Sequence, residues 1–388
     1  MATLAQVDFL ALILTSRCNF ACSYCFQNDR KDSSMSWETL RRALELGLLS
    51  EKRHFHFYFT GGEPLLESGL IRRGVEFLEP RRRAPEDFSY ELSTNGALVT
   101  PAISGFLDKF RFQVQISFDG VAEAQHLRSK GSFAVLDKLL DRLRLRHPEL
   151  FENRLRVHIT VSASGVKYLA DSVAYLLDKE CKQISIGSAF TPALANDVRE
   201  ELYEQFTRIL KMSLVYYCRH GTIPVEAFAG KAAREKTAEE CFLCHMQELN
   251  TLTVDTDGRA YACAFFAQSY QKLTSNFLND QVRPLDLGPI DAPDFAEKCV
   301  RLPEVAANLA IFLHRSKKHS SYGRCGKCPY LAECTVCPVS IGQTPGNTDP
   351  DRVPDFLCAF NQAIIEHQRL FRRATESLAK HRGEGGLN

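Results

Sequence analysis

No stretch of this 388-residue chain approaches the roughly 18 consecutive apolar residues that a membrane-spanning helix needs. The opening residues, Met1 to Asp8, carry no basic segment followed by an apolar one, so no secretory signal is expected. Charge of one sign is missing as well, since 48 Lys and Arg against 47 Asp and Glu leave a formal +1. Such a balance exerts no overall pull toward nucleic acid or an anionic membrane. Two short basic runs, Arg81-Arg82-Arg83 and Lys317-Lys318-His319, are expected to be solvated loop faces. Hydrophobic residues at 45% and charged ones at 24% are ordinary for a globular chain with a sizeable core, in one large domain or two.

Cysteine, by contrast, is abundant, with 14 in the chain. A chain without a secretory signal is expected in the reducing cytoplasm, where disulfides are not the default, so clustered cysteines point to metal. Cys18, Cys22 and Cys25 fall within eight residues. Thiolates this close cannot ligate every corner of an iron–sulfur cluster, so one iron would stay open to a small chelating ligand. The alternatives are three buried thiols in a loop, or half of a zinc site.

Residues 7–14 form a nearly continuous apolar run ending at the cysteine loop, which reads as a strand buried on both faces. Ser36 is placed to cap a helix through about Leu49, with Leu40, Ala43, Leu44 and Leu48 on its apolar face. Strands are then expected at 55–59, 88–93, 112–118, 155–161 and 183–187. Helices are expected near 67–79, 101–109, 133–146 and 167–179. This alternation predicts a parallel α/β fold, an open sheet or an incomplete barrel, with the active site at the C-terminal strand ends.

Three of those ends carry polar turns. Gly61-Gly62-Glu63-Pro64 lets backbone approach a ligand, and Glu63 can accept from an ammonium group. Ser93-Thr94-Asn95-Gly96 and Ser117-Phe118-Asp119-Gly120 offer groups suited to ribose hydroxyls, and Arg128 can pair with a carboxylate. Each turn alone is an ordinary Gly, Asn or Asp turn. Together they describe a pocket for an amino acid joined to a nucleoside.

The C-terminal third has its own arithmetic. Helical spacing over 196–220 (Leu202, Phe206, Ile209, Leu210, Leu214) predicts a bridging helix packed as core. Cys181, Cys218 and Cys299 stand alone and are expected to be buried thiols. Cys241, Cys244, Cys263, Cys325, Cys328, Cys334, Cys337 and Cys358 suffice for two four-thiolate sites. A zinc ribbon at Cys325, Cys328, Cys334 and Cys337 is the alternative. Thr251 to Cys263, turning at Asp255–Gly258, reads as a β-hairpin. Phe360, Ile364, Ile365, Leu370 and Phe371 predict a terminal helix over 359–381, and the tail from Gly383 is expected to be disordered.

The cysteine loop, with Tyr24 directly before its third cysteine, resembles that of the radical S-adenosylmethionine (SAM) enzymes, and Gly61–Pro64 matches their Gly-Gly-Glu-Pro turn. The resemblance implies a partial (β/α)6 TIM-like barrel over 1–195 and a [4Fe–4S] cluster on Cys18, Cys22 and Cys25. It implies SAM bound through Gly61, Gly62, Glu63 and Pro64 at its amino group and Ser117 and Asp119 at its ribose, with Ser93 and Asn95 weaker matches. Tyr24 would lie near the adenine and Arg128 at the carboxylate. A radical drawn from SAM would then abstract hydrogen from unactivated carbon.

The remainder resembles the SPASM extension, implying a helical bridge over 196–240, a two-cluster domain over 241–372 and a helix end with tail over 373–388. By that pattern Cys241, Cys244, Cys263 and Cys337 hold one auxiliary [4Fe–4S] cluster, and Cys325, Cys328, Cys334 and Cys358 the other, three clusters in all. Only two residues separate Cys334 from Cys337, where the family more often has three.

The implied function is oxidation of a peptide or protein by cross-linking, thioether formation or dehydrogenation. A small-molecule dehydrogenase and a non-catalytic metal protein are the rivals. Ala264 stands where sulfatase-maturing members carry a basic Asp, which argues against that activity. No catalytic acid or base is assigned. The expected electron donor is a flavodoxin or ferredoxin. The first strand begins so early that no leader-binding domain is expected ahead of it, leaving leader recognition to a separate protein or to the body of the enzyme.

Overall fold

The computed structural model describes residues 7–27, 32–84, 87–189, 198–229, 250–270, 283–307, 309, 315–343 and 347–384. Its frame is one sheet. β1 (Phe9–Ile13), β2 (Phe55–Thr60), β3 (Phe88–Thr94), β4 (Gln113–Ser117), β5 (Leu155–Val161) and β6 (Ile184–Ser188) lie side by side in sequence order, every pair parallel. Helices α1 (Trp37–Leu48), α2 (Ser68–Leu78), α3 (Pro101–Lys109), α4 (Ala122–Arg128), α5 (Phe133–Arg146), α6 (Pro148–Asn153) and α7 (Leu169–Asp178) connect them. This is a mixed α/β partial barrel, one of the two forms that the alternation allows and the one that the resemblance implies.

β1 has the expected buried run, with Leu10 to Ile13 all inside. The next strands differ, because they alternate. On β2, Phe55, Phe57 and Phe59 are buried under the helices, while His56 and Tyr58 between them are half-buried on the inner side. β3 and β5 repeat the pattern, so Glu91, Ser93, Arg156, His158 and Thr160 give the barrel a polar lumen. Burying each Phe contributes about 1.5–3 kcal/mol, so the barrel is held from outside and its inner face is left to chemistry.

Ser36 caps α1 as predicted, its Oγ accepting from Thr39 N at 3.0 Å. The helix expected from residue 67 is preceded by a 3-10 turn, Pro64–Glu67. The short helices α4 and α6 are not in the sequence reading, since each is too brief to show a period.

α8 (Arg199–His220) packs against α7 and against the C-terminal helix Asp355–Glu384, where Phe206 meets Phe360 at 5.7 Å and Thr207 Oγ1 meets His367 Nε2 at 2.9 Å. That terminal helix is longer than predicted and includes Gly383, while Leu370 turns partly to solvent. Residues 385–388 lie outside the described residues.

The hairpin departs from expectation in where it sits. β7 (Thr251–Val254) and β8 (Arg259–Tyr261) pair antiparallel as expected, but β7 also runs parallel to β1, Phe9 opposite Thr251. With β9 (Asp286–Pro289) it extends the barrel sheet to nine strands. The free edge of β1 draws in the hairpin, because an unpaired edge leaves its N–H and C=O groups without partners. Among the described residues no helix is long and apolar enough to cross a membrane.

Candidate functional site

β1 ends beside β2, and the chain beyond keeps the register. Gly62 N donates to Thr15 O at 2.7 Å and Glu63 N to Arg17 O at 2.8 Å, seating the glycine turn against the start of the cysteine loop. Only glycine fits there. A Cβ on Gly61, whose φ is +153°, would stand 2.4 Å from Thr15 O, and one on Gly62 would stand 2.2 Å from Arg17 O.

Glu63 is placed differently from its sequence reading. It is fully buried, with Oε1 accepting from Leu65 N (3.0 Å) and Thr94 Oγ1 (2.7 Å) and Oε2 from Asn95 N (2.8 Å). Burial pushes its carboxyl pKa up, and these three bonds oppose that rise. The carboxylate therefore ties the glycine turn to the end of β3 instead of facing the cavity.

Asp119 behaves likewise. It pairs with Arg128 (Nη2 to Oδ1, 2.7 Å), accepts from Tyr24 Oη and from Thr160 N (2.9 Å), and is buried. α4 carries Arg128 and also holds the cysteine loop, since Leu127 O accepts from both Ser23 N and Ser23 Oγ at 3.0 Å. The buried pair thus anchors Tyr24 between Cys22 and Cys25.

Between these parts lies a cavity of about 410 Å³, within the range of small-molecule sites. Cys18, Cys22, Cys25 and Tyr24 form one wall, Gly61 and Gly62 another, and Ser93, Asn95, Ser117 and Arg128 the strand-end side. Glu63, Pro64 and Asp119 stand behind that surface. The three thiols are half-buried and none is in a disulfide. Phe20 N and Asn95 Nδ2 point at Cys18 Sγ, at 3.4 and 3.8 Å. Burial pushes the Cys22 pKa up to about 11, against the lowering pull of Arg128, so the thiol keeps its proton until a metal displaces it. A four-iron cluster suits this wall. Three half-buried thiols share one cavity wall, and a cluster takes each thiolate on a separate iron.

Several lining residues are absent from the sequence reading. His158 faces the cavity from β5, and burial pushes its pKa down to about 4, with the charge of Arg128 adding to the fall. It stands neutral at physiological pH. Alternation along Leu155–Val161 is the signal that would have placed it beside Thr160. Phe265 and Tyr270, just after Cys263, close the cavity, stacking edge-on against Phe26 at 5.2 and 5.6 Å. A larger cavity of about 710 Å³ among α5, α7 and α8 contains none of the expected site residues.

Cys241 and Cys244 lie outside the described residues. Cys263 and Cys337 pack on the main core, while Cys325, Cys334 and Cys358 surround a second, small core of Val336, Ile341 and Val353. Ser320 Oγ (3.2 Å) and Gln362 Nε2 (3.4 Å) donate to Cys358 Sγ, and Asn361 Nδ2 reaches Cys334 Sγ at 3.8 Å. Burial pushes the Cys325 and Cys334 pKa values up to about 11 and about 12. Of the lone cysteines, Cys181 is buried as expected, but Cys218 is exposed on α8 and Cys299 half-buried. The basic runs are not simply solvated either. Arg82 stacks on Phe88 at 4.0 Å, and Lys318 is 1% exposed.

Residues 12–169 match the family model of the radical SAM superfamily. An uncharacterized protein of Methanocaldococcus jannaschii is 29% identical over 178 residues, 45% of this chain and 60% of that one, so the match stops short of two thirds of that relative. A cysteine-type anaerobic sulfatase-maturating enzyme of Clostridium perfringens strain ATCC 13124 is 31% identical over 283 residues, 65% of this chain and 72% of the relative. The solved structure of native anSMEcpe with bound AdoMet and the Kp18Cys peptide superposes with a TM-score of 0.69 at 18% identity, over 95% of this chain and 99% of that one. The chain belongs to the radical SAM superfamily and is a homologue of the anaerobic sulfatase-maturating enzymes. That family implies a [4Fe–4S] cluster and SAM.

Proposed function

We propose that this protein is a radical SAM oxidoreductase that modifies a peptide or protein, forming a cross-link or thioether or removing hydrogen. The observation that carries the reading is the single cavity shared by Cys18, Cys22 and Cys25, the Gly61-Gly62 turn and the polar strand ends. Cys18, Cys22 and Cys25 would hold the cluster, which together with bound SAM would supply a radical able to abstract hydrogen. The chain's own residues do the rest. Gly61 and Gly62 let backbone approach the amino group, Ser93, Asn95 and Ser117 offer polar contacts for the ribose, and the Tyr24 ring borders the adenine. Arg128, held by Asp119, presents its remaining face to a carboxylate. Glu63, Pro64 and Asp119 support this wall from behind. Phe26, Phe265 and Tyr270 exclude water from the substrate end.

A peptide substrate is favoured because the similar solved structure is described with a bound peptide. Ala264 begins the turn after Cys263, where a sulfatase maturase of the family pattern would need a base, so another modification is proposed. Two auxiliary clusters fit the eight C-terminal cysteines in the interleaved pairing, and the grouping of Cys358 with Cys325 and Cys334 around one small core supports it. A redox protein of the flavodoxin or ferredoxin type would deliver the electron, in a reducing compartment.

The test is anaerobic reconstitution followed by incubation with SAM and dithionite. Wild type should release 5′-deoxyadenosine, and the triple variant Cys18→Ala, Cys22→Ala, Cys25→Ala should release none while keeping its far-UV spectrum. Equal release by the two proteins would overturn the assignment of this cavity.

A further inference from the structure

Two cations are buried beside the C-terminal thiols, and nothing in the proposed function uses them. Arg315 is 0% exposed and Lys318 1% exposed. Burying charge is expensive, so a fold that keeps two such groups together must hold them firmly. Arg315 Nη2 donates to the carbonyls of Leu331 and, at 2.8 Å, of Cys334. Lys318 Nζ donates to Pro350 O at 3.1 Å, and its own carbonyl accepts from Cys325 N at 2.8 Å. The turn Arg315–Lys317 lies directly against Cys325–Lys327, where a Cβ on Gly326 would stand 2.9 Å from Ser316 O. Both charges bear on the Cys325 thiol, and that of Arg315 bears on the Cys334 thiol as well. Asp351, at 3.4 Å and 46% exposed, offsets part of the charge of Lys318. Glu333 and Asp355, nearby, are paired with Arg369 and Arg352.

The N-terminal site is arranged otherwise. Its buried cation, Arg128, sits 2.7 Å from the equally buried Asp119, which offsets part of the positive charge that Arg128 brings to Cys22. Reduction adds one negative charge to a cluster, and nearby positive charge and hydrogen bonds to sulfur favour that state. The C-terminal site has two cations and three donors to sulfur, Ser320, Gln362 and Asn361, against one paired cation and two donors, Phe20 N and Asn95 Nδ2, at the N-terminal site.

We propose that Arg315 and Lys318 raise the reduction potential of the Cys325, Cys328, Cys334 and Cys358 site above that of the Cys18, Cys22 and Cys25 site. The inference rests on the proposed function in taking each set of thiols to hold a [4Fe–4S] cluster. The oxidised C-terminal cluster then accepts the single electron that a substrate radical gives up as it becomes a closed-shell product. The electron runs downhill, away from the cavity. Both residues are positioning residues, since neither touches substrate.

The experiment is an EPR-monitored redox titration of the reconstituted full chain. The wave belonging to the C-terminal site is the one lost in Cys358→Ala. In wild type it should lie above the wave of the SAM-site cluster. Arg315→Gln and Lys318→Gln should each lower it by tenfold or more in the reduction equilibrium, about 59 mV per tenfold for one electron. Arg315→Lys and Lys318→Arg should leave it near the wild-type value, and no variant should move the SAM-site wave.

Gln variants with full iron content and an unmoved wave would overturn the proposal. So would a wild-type wave lying below that of the SAM site, a result that needs no variant to fold. A wild-type chain from which Cys358→Ala removes no signal is a separate failure, because it overturns the two-auxiliary-cluster reading itself.

Discussion

At Gly62 a single methyl group has nowhere to go. The carbonyls of Arg17 and Ser16 lie 2.2 and 2.6 Å from where a Cβ would sit, and backbone cannot rotate away as a side chain does. Gly62→Ala should therefore push the start of the cysteine loop outward and cost about 3 kcal/mol. Urea unfolding should show a lower midpoint, and SAM affinity measured by calorimetry should fall with it. Wild-type values for both would mean that the turn does not support the loop. Arg128 makes a second residue-scale case. Arg128→Met leaves Asp119 buried with only Tyr24 Oη and Thr160 N as donors, and should cost about 3–5 kcal/mol. Pairing it with Asp119→Leu should recover much of that loss, because the unpaired charge leaves with its partner. If the double variant is as unstable as the single one, the destabilisation comes from packing and not from charge.

At the scale of elements, the decisive contact is β7 against β1. Strand β1 is the fourth from the β9 end of a nine-stranded order that runs on through β7, β8 and β9. α8 is in turn clamped between α7 and the terminal helix. A fragment of residues 1–229 would expose the edge of β1 and the apolar face of α8, including Phe206. We expect that fragment to be recovered only as aggregate, while residues 1–384 give a monomodal peak by size-exclusion chromatography. A soluble, cooperatively melting 1–229 fragment would show that the barrel does not need its C-terminal partner.

At the scale of the whole molecule, the C-terminal segment reaches the cavity built by the barrel. Phe265 and Tyr270, which close the cavity, follow within a few residues of Cys263, so this segment forms part of the wall of the site. Eleven clustered cysteines predict about twelve irons and twelve sulfides per reconstituted chain. Zinc at the C-terminal cysteines with a single cluster would contradict this. Cys334→Ala, which disturbs the small core around Val336 and Ile341, should still cleave SAM but yield little oxidised product. Circular dichroism must accompany that assay, because cluster binding and folding are coupled. Wild-type product yield from a folded variant would make the second cluster structural.

The strand–helix alternation, the thiol loop and the glycine turn are local features, and spacing and period alone determined them. Phe55, Phe57 and Phe59 at every second position specify a strand with an apolar face, and the spacing of Cys18, Cys22 and Cys25 brings three thiols into one loop whatever surrounds them. Glu63 and Asp119 were legible as polar groups at strand ends but not in their orientation. A buried carboxylate turns toward whichever donors the neighbouring strands supply, and those donors (Asn95 N, Arg128, Thr160 N) come from other strands and helices. The same holds for the hairpin, which has a sequence signature for its turn but none for the edge it joins. Lys318 reads as one more surface charge until Asp351 and the Pro350 carbonyl fold over it. Only tertiary structure decided these points, because burial and partner choice depend on residues far apart in the chain.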